Sequence, residues 1–135
     1  MKIIVIDGQG GKIGRLVIEQ IKKDLPELKV IAIGTNSIAT SAMMKAGADA
    51  GATGENPIVV NSGDADVIIG PIGIIIANSL LGEITPRMSG AVSQSRGLKI
   101  LLPLNKCSTV VVVARDCSLA ESVKLAVAEL QKIAR

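Results

Sequence analysis

The feature that most constrains the fold is a strand-like run, a glycine-rich turn and a helical repeat in direct succession. Residues 2–7 (KIIVID) are apolar and β-branched, as in a strand buried within a parallel sheet. Glycines follow at four of the next seven positions. Apolar residues then recur at every fourth position over residues 13–25, which predicts a helix with one buried face that ends before Pro26.

The same alternation of strand-like and helix-like patterns continues along the chain. It predicts one domain over residues 1–135 with a three-layer, Rossmann-like α/β fold. In this fold a mostly parallel sheet of five to six strands carries helices on both faces. Further strands are expected at residues 29–34, 57–61, 65–70, 98–104 and 109–114. Further helices are expected at residues 36–46, 72–81, 85–97 and 118–134, with a loop at 47–56.

The expected helix over residues 72–81 is apolar on nearly every side, which predicts burial in the core or in a subunit interface. The mean hydropathy of the chain is +0.48. A small monomer hides such a surface with difficulty, so we expect a homodimer.

Phe, Tyr, Trp and His are all absent from the sequence, and their absence removes several functions. The chain has no ring to stack on a flavin or an unpaired base, and no imidazole for acid–base chemistry or metal binding. The net charge of +3 is small, and no run of basic residues forms a stripe. We therefore expect no metal site and no nucleic-acid partner.

The sequence also indicates where in the cell the protein is expected to reside. A strand expected between Cys107 and Cys117 would span about 20 Å, so these two cysteines are not expected to pair. A strand-like run follows Met1 directly, which predicts no signal peptide. The longest apolar stretch, residues 67–81, is shorter than the ~20 residues of a membrane-spanning helix. We expect a cytoplasmic protein with no membrane partner.

Residues 7–14 (DGQGGKIG) carry the clearest functional signal. They join the first strand to the first helix, where free backbone N–H groups and a positive partial charge favour phosphate. The spacing G-x-G-x-x-x-G resembles a variant found in some NAD(P)-binding Rossmann families. A P-loop fits poorly, because Ile6 stands where its first glycine would be. The alternative is a tight turn that only lets strand and helix pack closely.

The end of the second strand departs from the usual dinucleotide site. The acidic residue expected there for the ribose 2′-hydroxyl is absent, and Gly34, Thr35 and Asn36 stand in its place. Short polar groups at this position can hold a ribose or a 2′-phosphate, so NAD, NADP and other nucleotides all stay open as ligands. Asp7 is either a turn-capping carboxylate or a contact to a hydroxyl or Mg²⁺.

Two further segments lie at the carboxyl ends of strands, where parallel sheets bind ligands. Residues 70–73 (GPIG) either present helix N–H groups to the same cleft or only shape a turn. In the triplet Asn105, Lys106 and Cys107, the thiol beside a lysine is either activated or a small buried residue. The expected cofactor-binding residues are Gly8, Gln9, Gly10, Gly11, Lys12, Ile13, Thr35, Asn36, Gly70, Pro71, Ile72, Gly73 and Asn105.

Five strings carry a family resemblance: VIDGQGGKI at 5–13, GTN at 34–36, GATGENPIVV at 51–60, IGPIGIIIAN at 69–78 and PLNKC at 103–107. With them the chain resembles a family of short bacterial proteins, mainly Gram-positive, whose function is unknown. The resemblance covers nearly the whole chain. It implies a Rossmann-like fold and nucleotide binding, with no established activity.

These patterns favour a small protein that binds a phosphate-bearing ligand, such as NAD(P) or another nucleotide, and acts as a sensor or accessory protein. A second interpretation is an NAD(P)-dependent oxidoreductase, with Lys106, Cys107 or a carboxylate as proton donor. A third is a structural subunit of an oligomer whose glycine turn holds no ligand.

Overall fold

The computed structural model describes residues 1–104 and 108–134. In this part of the chain the strands are β1 (Ile3–Asp7), β2 (Val30–Gly34), β3 (Ala50–Thr53), β4 (Val67–Pro71) and β5 (Leu98–Leu102). They form a parallel sheet in the order β3-β2-β1-β4-β5. The chain leaves β1 first toward β2 and later returns to its other side with β4. Such a reversal opens the crevice in which α/β sheets bind ligands.

Helices cover both faces of this sheet. They are α1 (Lys12–Asp24), α2 (Ser37–Lys45), α3 (Glu55–Ser62), α4 (Pro86–Gln94) and α5 (Leu119–Ile133), and a 3₁₀ turn, Ile72–Ile75, follows β4. Helices α1, α2 and α5 pack on one face, and α3 and α4 pack on the other. The predicted Rossmann-like α/β fold, with a parallel sheet between two helical layers, is confirmed.

Strand β1 shows why residues 3–6 are all apolar. Ile3 and Val5 join the core beneath α1, whereas Ile4 and Ile6 join the core beneath α3. All four side chains are at most 2% exposed. A strand covered on both faces has no solvent-facing side, so the usual polar–apolar alternation is lost.

Three of the expected helix boundaries are confirmed, two of them with a capping side chain. Helix α1 ends at Asp24, just before Pro26. The Asn36 side chain accepts a hydrogen bond from the Ala39 N–H at 2.9 Å and caps α2. The Ser118 hydroxyl accepts a hydrogen bond from the Glu121 N–H at 3.1 Å and caps α5.

The strand predicted at residues 57–61 is wrong, because this segment belongs to helix α3. Its apolar run is short, and a short run does not distinguish strand from helix. The third strand lies instead at Ala50–Thr53, inside the predicted loop. It is an edge strand of small, mostly exposed residues, so it carries no apolar signal.

The helix predicted at residues 72–81 is also wrong. Only the four-residue 3₁₀ turn forms there, and Asn78, Leu80 and Leu81 have φ angles of 65°, 55° and 56°. Left-handed residues cannot continue a right-handed helix. Leu80 is buried in the core beneath α3, so part of the apolar character that suggested a subunit interface is used within the chain. The homodimer stays a prediction.

The sixth strand predicted at residues 109–114 does not form; the described residues there are neither strand nor helix. Val110 and Val112 are 85% and 92% exposed. β-Branched residues favour strands only where a neighbouring strand supplies hydrogen bonds and packing. Two predicted ends are also too late, since α4 stops at Gln94 rather than residue 97 and β5 at Leu102 rather than residue 104.

The buried face of α1 gives a test of the core. Ile18 is 0% exposed, and replacing it with alanine is expected to lower the free energy of unfolding by about 2–5 kcal/mol because a cavity remains. The matched control is Ile38→Ala in α2, where the side chain is 68% exposed and the expected change is under about 0.5 kcal/mol. Urea unfolding followed by far-UV circular dichroism measures both. Equal losses would contradict the assigned core.

Candidate functional site

Two loops meet at the carboxyl edge of the sheet. One is the glycine turn, residues 8–11, between β1 and α1, and the other follows β2. The Thr35 N–H donates to the carbonyl oxygen of Asp7 at 3.0 Å. The Asn36 side-chain amide donates to the Gln9 carbonyl oxygen at 3.0 Å. The structure therefore brings the predicted residues of both loops together.

The predicted residues after the fourth strand are largely buried. Gly70 and Pro71 end β4 and are buried, and in the following 3₁₀ turn Gly73 is buried and Ile72 half-buried. A side chain at Gly70 would collide with the Ile6 carbonyl oxygen, so this glycine allows β1 and β4 to lie close together. The segment after it is the short 3₁₀ turn. The predicted contacts at Asn105, Lys106 and Cys107 lie outside the described residues.

Asp7 closes the glycine turn from within. Its side chain is 2% exposed and accepts hydrogen bonds from the Gly8 N–H at 2.8 Å and the Gly14 N–H at 2.7 Å. Burial raises the pKa of this carboxyl above its ordinary value, although the backbone donors act in the opposite direction. These contacts are those of a turn-capping carboxylate, which is one of the two interpretations of Asp7.

Glu83 is a site residue that the sequence analysis missed. Its Oε1 accepts hydrogen bonds from the Gln9 N–H at 2.9 Å, the Thr35 hydroxyl at 2.5 Å and the Asn36 side-chain amide at 2.9 Å. Partial burial opposes ionisation, but the three donors together outweigh it and hold the pKa of Glu83 below its ordinary value. One feature of the sequence points to a turn at Glu83. The preceding residue is Gly82, which directly follows the apolar helix expected over residues 72–81.

Several amides of the glycine turn are already bonded within the protein. The Gly8 and Gly14 N–H groups bind Asp7, the Gln9 N–H binds Glu83, and the Gly11 N–H binds the Gly8 carbonyl oxygen at 2.9 Å. In the described part of the chain, the amides of Gly10 and Lys12 have no such partner. Both residues are exposed. The surface open to an anion is therefore the tip of the turn and the first residue of α1.

Packing accounts for three of the glycines. A Cβ on Gly8 would lie 2.7 Å from the Thr35 hydroxyl oxygen and 2.8 Å from Leu80 Cδ1. A Cβ on Gly11, which has φ of +74°, would lie 2.8 Å from the Ala39 Cα, and one on Gly14 would collide with the Met43 sulfur. Gly10 differs from them, because no heavy atom lies within 4 Å of its Cβ position.

Positive side chains lie next to the open part of the turn. Lys12 is exposed at the first position of α1, and Arg15 follows one turn later, 3.0 Å from the Glu19 carboxylate. A shallow groove between α1 and α2 adjoins Arg15. It is lined by Arg15, Ser37, Ile38, Ser41, Ala42 and Lys45. Cations and hydroxyls beside a helix N-terminus suit a phosphate.

The described residues contain neither a cluster of metal ligands nor a membrane-spanning helix. Among residues 1–104 and 108–134, no three His, Cys, Asp or Glu side chains converge as metal ligands would. In the same part of the chain, no helix combines the length and the apolar character needed to cross a membrane.

The parallel sheet, its order reversal at β1 and the turn leading into α1 define a Rossmann-like α/β protein. The chain belongs to the DUF3842 family, described as a domain of unknown function, whose model matches residues 2–135. The predicted membership of a family without a known function is thus confirmed. No curated protein and no solved structure matches the chain.

The glycine turn gives a second test. Gly11→Ala is expected to destabilise the protein by at least about 1–2 kcal/mol, because alanine is strained at φ of +74° and its Cβ would meet the Ala39 backbone. Gly10→Ala is the matched control, since its Cβ enters open space. Thermal unfolding of both variants measures the difference. A Gly10 variant as unstable as the Gly11 variant would show that the turn is packed differently.

The two aspartates with opposite pKa shifts give a test against pH. Because the folded protein raises the pKa of Asp7, it binds that proton more tightly than the unfolded chain does. The free energy of unfolding of the wild type minus that of Asp7→Asn should therefore fall with rising pH. The fall should extend from the pKa of Asp7 in the unfolded chain to its raised pKa in the folded protein. The difference should level off above that interval.

Asp49 is the control with the opposite sign. Hydrogen bonds from the Lys22 ammonium at 2.7 Å and the Val30 N–H at 2.8 Å lower its pKa. The difference between the wild type and Asp49→Asn should rise with pH, since this stabilisation is lost as pH falls through the folded pKa. Urea unfolding from about pH 3 to about pH 7 follows both differences. A rising difference for Asp7 would contradict the assigned burial.

Proposed function

We propose that this protein binds a phosphate-bearing ligand, such as NAD(P) or another nucleotide, with a phosphate against the start of α1. The amides of Gly10 and Lys12, two exposed residues whose N–H groups have no hydrogen-bond partner among the described residues, carry the proposal. They lie at the positive end of a 13-residue helix, and open space above Gly10 lets a phosphate approach the backbone.

The charges around this position support an anion. Asp7 is buried and its oxygens are bonded to backbone donors, so its charge is directed into the turn rather than toward the ligand. The Lys12 side chain is exposed beside the open amides, and Arg15 lies one turn further along α1. Thr35 and Asn36 adjoin the turn and supply polar groups for the sugar that follows a nucleotide's phosphate.

On this proposal the protein is a sensor or accessory protein that acts through ligand binding. A structural turn without a ligand is the competing hypothesis, and one observation favours it: packing alone accounts for Gly8, Gly11 and Gly14. Gly10 separates the two hypotheses, because packing does not require it.

Calorimetry of ligand-dependent stability tests the proposal. Millimolar NAD, NADP, ATP or coenzyme A should raise the free energy of unfolding, by about 2.7 kcal/mol where the ligand is at 100 times its Kd. Gly10→Val should keep the stability of the free protein and lose this ligand response, since its side chain occupies the space above the amides.

The matched control is Gly90→Val on α4, because the Cβ position of Gly90 also lies in open space but on another part of the surface. It should respond to ligand as the wild type does. A wild type that none of these ligands stabilises would leave the structural turn as the better explanation. An unchanged response in Gly10→Val would move the site elsewhere.

A further inference from the structure

We propose that Glu83 takes the place of the acidic residue that dinucleotide-binding folds carry after β2, and selects a ribose with a free 2′-hydroxyl. This inference rests on the proposed function and adds the class of ligand. The ligand would be a ribonucleotide such as NAD or ATP, rather than NADP or a 2′-deoxynucleotide.

Glu83 brings a carboxylate to the end of β2. Dinucleotide sites hold the ribose 2′-hydroxyl with a carboxylate at the end of β2, and this chain has Thr35 and Asn36 there instead. Glu83 is 48 residues away from Thr35 in sequence, yet its Oε1 binds the side chains of both residues. The missing acidic group is thus restored in space by the segment that follows β4.

The two oxygens of the Glu83 carboxylate have different surroundings. All three hydrogen bonds to Glu83 end at Oε1. Oε2 accepts none from the described residues, and it is not among their buried unpartnered atoms. One oxygen therefore orients the carboxylate, while the other is not fully buried and can accept a hydrogen bond from a ligand hydroxyl.

The segment bearing Glu83 is held in place by a hydrogen bond and by buried side chains. The Asn78 N–H donates to the Ile84 carbonyl oxygen at 2.7 Å and closes the segment into a loop. Leu80 and Ile84 are at most 1% exposed within the core beneath α3. An acceptor that is fixed before binding loses little conformational entropy when the ligand arrives.

The chemistry of the two groups determines the selectivity. A carboxylate accepts a charge-assisted hydrogen bond from a hydroxyl, and it repels a phosphate at the same position. The hydrogen bonds that lower the pKa of Glu83 favour its ionised form. Arg15 and Lys45 line the neighbouring groove and are the cations that would favour a 2′-phosphate instead, so a comparison of ligands with and without this phosphate decides between them.

Isothermal titration of the wild type with two ligand pairs is the direct test. NAD should bind more tightly than NADP, and ATP more tightly than 2′-deoxy-ATP, each on the order of tenfold or more, as expected for a hydrogen bond to a charged group. Equal affinities within the pairs, or tighter binding of NADP, would overturn the role of Glu83 and leave the proposed function standing. No binding of any of the four would overturn the role of Glu83, and a lack of response to coenzyme A as well would overturn the proposed function.

Glu83→Gln assigns the selectivity to this residue. It should bring the two affinities of each pair to within about threefold of each other, because the amide neither repels phosphate nor binds the hydroxyl as strongly. Glu55→Gln is the matched control, since Glu55 also accepts a hydroxyl hydrogen bond, from Thr85 at 2.6 Å, but does not contact Gln9, Thr35 or Asn36. It should keep the wild-type ratios.

Unchanged ratios in a folded Glu83→Gln variant would overturn the proposal. Far-UV circular dichroism and a thermal melt establish that the variant is folded. If it does not fold, the titrations of the wild type with the four ligands still test the selectivity, because they require no substitution.

Discussion

The close approach of α1 to β1 and α2 is the constraint on which the candidate site depends. Gly11 lies against the Ala39 backbone, and Gly14 lies against Met43 and the Asp7 Cβ. At this distance the buried Asp7 carboxylate reaches the Gly14 N–H and the Gly8 N–H and closes the turn between strand and helix. These backbone donors offset part of the cost of burying a carboxylate, and the pKa of Asp7 stays raised. The first exposed residue of α1 is thereby held at the edge of the sheet.

Glu83 connects this turn to the rest of the molecule. A single oxygen atom accepts hydrogen bonds from the glycine turn and from both residues that follow β2, while Leu80 of the same segment packs above Gly8. Three separate stretches of chain thus meet within one polar cluster. Within the glycine turn, the described contacts leave the amides of Gly10 and Lys12 without a partner, so any ligand would meet a narrow and already ordered surface.

Much of the fold could be predicted because its signals are local. The apolar run that begins β1, the four-residue period of α1 and the cap at Asn36 each follow from side chains close in sequence. The errors came where local signals were weak or depended on a neighbour. Strand β3 is made of small residues and is defined by its pairing with β2, and residues 109–114 have strand-forming side chains but no strand pairing in the described structure.

The candidate site divides in the same way. The sequence alone determined the turn between β1 and α1, its glycines and the polar pair Thr35 and Asn36, because a parallel strand followed by a helix brings their positions to one edge. Only the tertiary structure decided which amides stay without a partner, and that Glu83, from the segment that follows β4, joins the turn. Both depend on contacts between residues distant in sequence, and composition and periodicity carry no information about such contacts.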